Sequence, residues 1–335
     1  MTASPDERAC LIVNADDYGY FRCISKGILK SATHGVVTAT GVFANTIHFG
    51  EHAAWLRDCD ALDAGVHLNL TDGIPLTSDL QKMLGRWSGR FPRKFALAKA
   101  ILSGGIKIDA VKREWRAQIE RCLEHGLKPR FLNSHEHMHM LPSLFPVVKA
   151  LARDYDIRHI RFPTSRLGES MSPGSLFRSA VIKVLETINR GHLDTPAAHF
   201  LGMETSGRLD MEYLQETVPE LRADRVYELM CHPGDFDPQE VSDPRLLRYH
   251  DWQGELRTLT CPALRELLDR NGLERSLRLN CCKGGTMLKQ GHFPEHGTFA
   301  HGCDELTLFA DVRFSGDHEK DCVDRYPFFQ NIVAH

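Results

Sequence analysis

The sequence predicts an α/β fold, a (β/α) barrel that is incomplete or irregular, with fewer than eight strands admitted. Three observations point there. From Cys10 to Asn280, short apolar runs alternate with stretches of helical spacing, in the order strand then helix. The chain has 335 residues, 42% hydrophobic and 25% charged, which is ordinary globular composition with enough material for a large core. No glycine-rich dinucleotide fingerprint follows the first strand. A doubly wound open sheet is the alternative, because periodicity does not distinguish a closed sheet from an open edge.

The elements follow in order. Cys10 to Asn14 is an apolar run halted by Asp16, Asp17 and Gly19, and Ile24 to Ala32 then carries apolar residues at helical spacing. Val36 to Phe43 reads as strand, His52 to Arg57 as helix, Ala64 to Leu70 as strand and Val111 to His125 as helix. Next come strand Arg130 to Asn133, helix Leu144 to Arg153, strand His159 to Phe162 and helix Leu176 to Asn189. Strand Ala198 to Leu201, helix Met211 to Glu216, strand Val226 to Cys231, helix Leu256 to Asn271 and strand Leu277 to Asn280 complete the series. Leu80 to Ile108 is too long for an ordinary connection and is rich in Lys, Arg, Gly and aromatics, so it reads as a lid or as a helical insertion on the barrel rim. Residues 1–282 are expected to form the working domain, with 283–335 as a Cys/His-containing tail.

Composition excludes several classes. Lys plus Arg number 41 against 44 Asp plus Glu, a net charge of -3, so no general basic excess points to nucleic acid. No apolar run approaches the roughly 18 residues needed to span a bilayer. Residues 1–8 are polar with no signal-peptide core behind them, and a cytoplasmic protein is the expectation. Ten Cys lack the density of a disulfide scaffold, and scattered ones such as Cys10, Cys23, Cys59, Cys122, Cys231, Cys261 and Cys281 read as reduced thiols. Association into a homo-oligomer is left open.

The 18 His matter through their positions. Asp16 and Asp17 stand at the end of the first strand, where one carboxylate can ligate a cation while its neighbour takes a proton; a turn and helix cap is the competing account. In Gly65 to Leu70 the apolar residues alternate with His67 and Asn69, sending imidazole and amide to one face. Asn133 to His139 packs His135, His137 and His139 at i, i+2 and i+4, a density with no common structural reason; an extended backbone puts all three on one side, and a helical one still puts His135 and His139 on one face. His232 ends an apolar strand before Pro233 and Gly234, placed to act as a general acid or to stabilise the turn. Arg161, at the end of another strand, can orient a carboxylate by a bidentate pair or sit on the rim. One carboxylate and two imidazoles at separate strand ends suggest a mononuclear metal hydrolase, with coordination positions left for water and substrate.

These segments resemble the YdjC-like carbohydrate deacetylases, the family that contains chitooligosaccharide deacetylase and the hopanoid-biosynthesis-associated deacetylase. The resemblance rests on LIVNADDYG, GVVTATGVFAN, GVHLNLTDGIPL, FLNSHEHMHMLP, IRFP and ELMCHPGDFD, in the family's order. It implies a barrel related to the polysaccharide deacetylases, one divalent metal ion (magnesium or zinc), and hydrolysis of an N-acetyl group from an amino sugar or oligosaccharide. Asp17, His67 and His135 resemble the metal ligands, Asp16 the general base, His232 the general acid, and Arg161 the residue supporting the base. The family's histidine motif commonly opens with Asp, where this chain has Asn133.

Two alternatives come from other classes: a metal-dependent phosphoesterase on a related barrel, and a non-catalytic metal- or sugar-binding protein. The first would be favoured by a phosphate-binding glycine nest, which is not evident. The second requires neither an acid nor a base. In the tail, His292, His296, His301 and Cys303, with Cys281 or Cys282, are spaced compatibly with a second zinc set, and a loosely ordered extension is the competing account.

Overall fold

The structure, a computed structural model, describes residues 9–165, 173–194, 196–223 and 225–275. Its frame is one parallel sheet. Strand β1 (Ala9–Tyr18) lies at the centre, followed in the chain by β2 (Ala39–Val42), β3 (Asp63–Leu68), β4 (Phe131–Ser134), β5 (His159–Ile160), β6 (His199–Leu201), β7 (Val226–Cys231) and β8 (Leu273–Arg275). The sheet runs β5-β4-β3-β2-β1-β7-β6, and β8 pairs with the start of β1. Because β7 follows β1 along one edge from Cys10 to Ala15, β8 and β2 share its other edge, one at each end. The path ends at β5 and β6, which do not pair among the described residues, so the barrel is open there.

β1 is central because both of its faces are apolar: Leu11, Ile12, Val13 and Ala15 are all buried, the pattern of a parallel strand covered by helices. Phe131 packs with Ile12 and Ala39 beneath β1 and β2. Gly65 on β3 admits it, since a Cβ there would stand 2.4 Å from the Phe131 ring. Removing that ring would cost about 3–5 kcal/mol.

The helices are α1 (Arg22–Thr33), α2 (Phe49–Arg57), α3 (Ser78–Met83), α4 (Lys94–Leu102), α5 (Ile108–Glu124), α6 (Phe145–Asp154), α7 (Pro173–Asn189), α8 (Met211–Thr217), α9 (Pro244–Tyr249), α10 (Trp252–Thr260) and α11 (Pro262–Arg270). The stripe that α5 buries contains Val111, Trp115, Ile119 and Cys122, and also Glu114 and Gln118. Both carboxylate oxygens of Glu114 accept from Leu76 and Thr77, and Gln118 exchanges hydrogen bonds with the Asn69 backbone. α5 thereby pins the loop that leaves β3.

Several expectations change. The helix read across Leu256 to Asn271 is two, α10 and α11, because Pro262 cannot continue a helix and instead opens the second one. Leu80 to Ile108 contains α4, the end of α3 and a short 3-10 turn, and Lys94 ties it to Glu136 at 2.8 Å. Cys23, Cys59, Cys122, Cys231 and Cys261 are free thiols, whereas Cys10 is disulfide-bonded, unlike the expectation. No described helix is long and apolar enough to cross a membrane. The strand expected at Leu277 to Asn280, Cys281, the boundary at 282 and the tail with His292, His296, His301 and Cys303 lie outside the described residues.

Candidate active site

Adjacent residues on a regular strand point to opposite faces, so Asp16 and Asp17 could not share a site there. The β1–β2 register shifts between Ala15 and Tyr18, and Asp17 adopts the left-handed region at φ 69. This irregularity re-aims the strand end and brings both carboxylates to the carboxyl ends of the strands. Asp tolerates that backbone better than most residues. Both side chains are buried.

Asp16 sits in a polar cage. Arg161 donates to both of its oxygens, at 2.5 and 2.9 Å, and Asn14 and Asn133 add hydrogen bonds of 2.8 and 3.0 Å. Arg161 is held in turn by Glu228, 2.7 Å from its Nε. Burial alone would push the Asp16 carboxyl up, but the Arg161 guanidinium and His67 outweigh it and hold the group down at about 2. Asp16 is therefore ionised at any working pH.

Asp17 is built differently. Its Oδ1 lies 3.3 Å from His67 Nε2 and 3.0 Å from His135 Nδ1, yet that oxygen is buried without a hydrogen-bond partner. One ligand atom from each of Asp17, His67 and His135 lies within 4.8 Å of the others. Burial opposes ionisation of Asp17, and the two imidazoles reverse this, leaving its carboxyl well below the usual range. A buried anionic oxygen that converges with two imidazole nitrogens but makes no hydrogen bond fits a divalent cation, and the mixed O,N set suits zinc while admitting magnesium.

The difference at Asn133 acquires a role here. Its Oδ1 is 2.8 Å from His67 Nδ1 and its Nδ2 donates to Asp16, so one amide bridges a ligand and the caged carboxylate. Accepting from Nδ1–H fixes the His67 tautomer that leaves Nε2 free to ligate. An ionised Asp at this position would have no proton to give Asp16. Gly41 on β2 keeps the space open: a Cβ there would lie 2.8 Å from Asn133 Oδ1 and 3.0 Å from His67 Nδ1. Phe43 covers the set edge-on, its ring centroid 5.1 Å from that of His67 and 4.9 Å from that of His135.

Of the three clustered histidines only His135 joins the metal set. The segment is a tight 3-10 turn with Glu136 and His137 left-handed, so the common side expected of an extended backbone is absent. His139 is buried beneath it, its Nδ1 2.5 Å from Ser134 Oγ and its Nε2 2.9 Å from the Arg161 carbonyl. His137 packs against Phe200 with ring centroids 5.9 Å apart.

His232 follows β7 and is buried. Burial pushes its imidazole below the ordinary value, while Asp17 and Asp16 pull the other way. Glu228, Glu255 and His250 were not singled out in the sequence. Glu228 stands four residues before His232 in an otherwise apolar strand, a signal that could have found it. His250 stacks on Trp252 and leans against His232 with ring centroids 5.1 Å apart, a contact between distant segments with no local signature.

With this geometry in place, the comparisons with known proteins can be set beside it. A family description, YdjC-like protein, matches residues 10–270. The chain belongs to the YdjC-like family. It is 31% identical over 264 residues to a carbohydrate deacetylase of Geobacillus stearothermophilus, covering 78% of this chain and 94% of that one. It is also 31% identical over 233 residues to a chitooligosaccharide deacetylase of Escherichia fergusonii, covering 68% and 82%. A crystal structure from Enterococcus faecalis V583, provisionally named a cellobiose-phosphate cleavage protein, superposes with a TM-score of 0.61 at 24% identity, covering 82% of this chain and 99% of that one. That likeness places the fold.

Proposed function

We propose that the protein is a metal-dependent carbohydrate deacetylase that hydrolyses the N-acetyl group of an N-acetylated amino sugar or oligosaccharide and releases acetate. The observation that carries this reading is the pair of neighbouring carboxylates in opposite states: Asp16 fully hydrogen-bonded beside Arg161, and Asp17 facing two imidazoles with an oxygen that nothing satisfies. Curated relatives of this family are named for deacetylation of carbohydrates, which supports the same reaction.

Asp17, His67 and His135 would hold the cation. When bound, it supplies Lewis acidity, polarising the acetyl carbonyl and making water acidic enough for a weak base to deprotonate. Asp16 is such a base: held at about 2, it always carries the charge needed to accept a proton from water. Arg161, anchored by Glu228, keeps its oxygens aimed. An amide nitrogen leaves poorly as an anion, so breaking the C–N bond requires a proton on it, which His232 gives. Asn133 holds His67 in its ligating tautomer, and Phe43 keeps water from the apolar side of the set.

Acetate release from a panel of N-acetylated sugars, di-N-acetylchitobiose included, tests the proposal, using protein stripped of metal and resupplied with zinc or magnesium. Metal-dependent release supports it. Metal bound in full with no acetate from any sugar would overturn it.

A further inference from the structure

The side chain of Glu255 is buried on α10 and lies beneath His232. Its Oε2 accepts the backbone N–H of His232 and its Oε1 that of Leu209, 3.2 Å away. The same Oε1 stands 3.9 Å from His232 Nδ1, a nitrogen that is itself buried without a hydrogen-bond partner. One carboxyl thus holds the strand exit that carries the imidazole and faces the imidazole's inner nitrogen.

We propose that Glu255 is a positioning residue for His232: its carboxyl holds the strand exit that carries the ring, faces Nδ1, and turns Nε2 toward the departing nitrogen of the substrate. This rests on His232 being the general acid.

The chemistry is balanced. The C–N electron pair stays on nitrogen, nitrogen takes the Nε2 proton of the His232 imidazolium, and the ring is left neutral with its remaining proton on Nδ1, the side that Glu255 faces. The proton removed from water goes to Asp16 and returns to solvent or to the pair afterwards. Nothing besides water is consumed.

Burial drives His232 toward its neutral form, and of the groups facing it Arg161 and His67 act in the same sense while Asp16 and Asp17 oppose them. His250, against the same ring, is pushed by burial down to about 3 and so supplies no charge. Burial pushes Glu255 up to about 8; the His232 and Leu209 N–H groups pull down, and Asp251 and Asp17 raise it. Burial thus displaces both imidazole and carboxyl toward their neutral forms.

The test compares full-length wild type, Glu255→Gln and His232→Ala, each metal-loaded, on two acetyl donors. Di-N-acetylchitobiose needs a proton on its leaving nitrogen, whereas 4-nitrophenyl acetate expels a phenolate that needs none. Both variants should lose roughly 10²-fold or more in kcat on the sugar and less than about threefold on the ester. Equal losses on both donors, or an unchanged sugar rate in Glu255→Gln, would overturn the proposal. Independently of turnover, the His232 ring signals in ¹⁵N-histidine-labelled protein, assigned by difference with His232→Ala, should titrate at least about one pH unit lower in Glu255→Gln. An unmoved titration also overturns it. Metal-loaded wild type that releases no acetate from any sugar of the panel rejects the deacetylase reading, and the titration still decides whether the two residues are paired.

Discussion

Glu114 and Gln118 on α5, and Asp17 with its two histidines, are both buried polar groups near the exit of β3, and they are built in opposite ways. Every carboxylate oxygen of Glu114 has hydrogen-bond donors, and the Gln118 amide is satisfied from both ends. Asp17 Oδ1 has two nitrogens within 3.3 Å and no hydrogen bond. The folded chain completes the first set, whereas the second is left with an oxygen that the proposed cation would satisfy. A buried polar group that is satisfied stabilises the loop it holds; one left unsatisfied costs stability and marks where something binds.

The contrast can be broken by mutation. The largest effect should come from Asp17→Ala, which removes the buried carboxylate that faces both imidazoles. Acetate release should fall by roughly 10³-fold or more, several kcal/mol of lost charge stabilisation. Metal-binding calorimetry beside a rate assay checks it, and a variant that still binds the cation and turns over near the wild-type rate would contradict the account. Next is Asp16→Asn, which should still bind metal but lose about 10²–10⁴-fold in turnover. Near-normal turnover would remove Asp16 as the base. Asn133→Ala frees Nδ1 of His67 and should weaken metal binding about 10- to 100-fold, measured by competition with a chelating dye.

At the satisfied pole, Glu114→Ala should cost about 1–3 kcal/mol of stability by orphaning the Leu76 and Thr77 donors, read from denaturant unfolding, with metal affinity unchanged. Glu255 stands between the poles, since it accepts two backbone N–H groups yet is pushed up to about 8. A carboxyl raised on folding binds its proton more tightly in the native state, so native stability declines as pH climbs from the ordinary carboxylate range toward 8. Glu255→Gln should flatten that decline, moving the stability difference in its favour between pH 5 and 8. A difference independent of pH would show that Glu255 carries no raised value.

The strand ends were legible because their signals are local. Val226 to Cys231 is predicted and observed with the same limits, and the motifs at Asp16, His67, His135, Arg161 and His232 lie at or beside the ends of strands that the sheet gathers together. The cage around them was legible only in part: the resemblance gave Arg161 as the support of Asp16, while the contacts of Asn14, Asn133 and Glu228 had no such signal. Asn133 reaches Asp16 across 117 residues and Arg161 reaches it across 145, partnerships set by strand order and not by spacing. The roles of His137 and His139 were open for a related reason: regular spacing suggests a shared face, but the left-handed backbone at Glu136 and His137 breaks it, and His139 is buried. The bulge at Asp17 is likewise invisible where the sequence reads the strand as halted after Asn14; β1 runs on to Tyr18, and its irregularity lets adjacent carboxylates serve one site.

The central claim, that the unsatisfied set is a catalytic metal centre, is tested most directly by titrating zinc or magnesium into chelator-stripped protein while following acetate release from an N-acetylated amino sugar. The account predicts no release from stripped wild type, recovery that saturates at one cation per chain, and no recovery in Asp17→Ala. Release that survives stripping, or that the cation restores equally in Asp17→Ala, would contradict it.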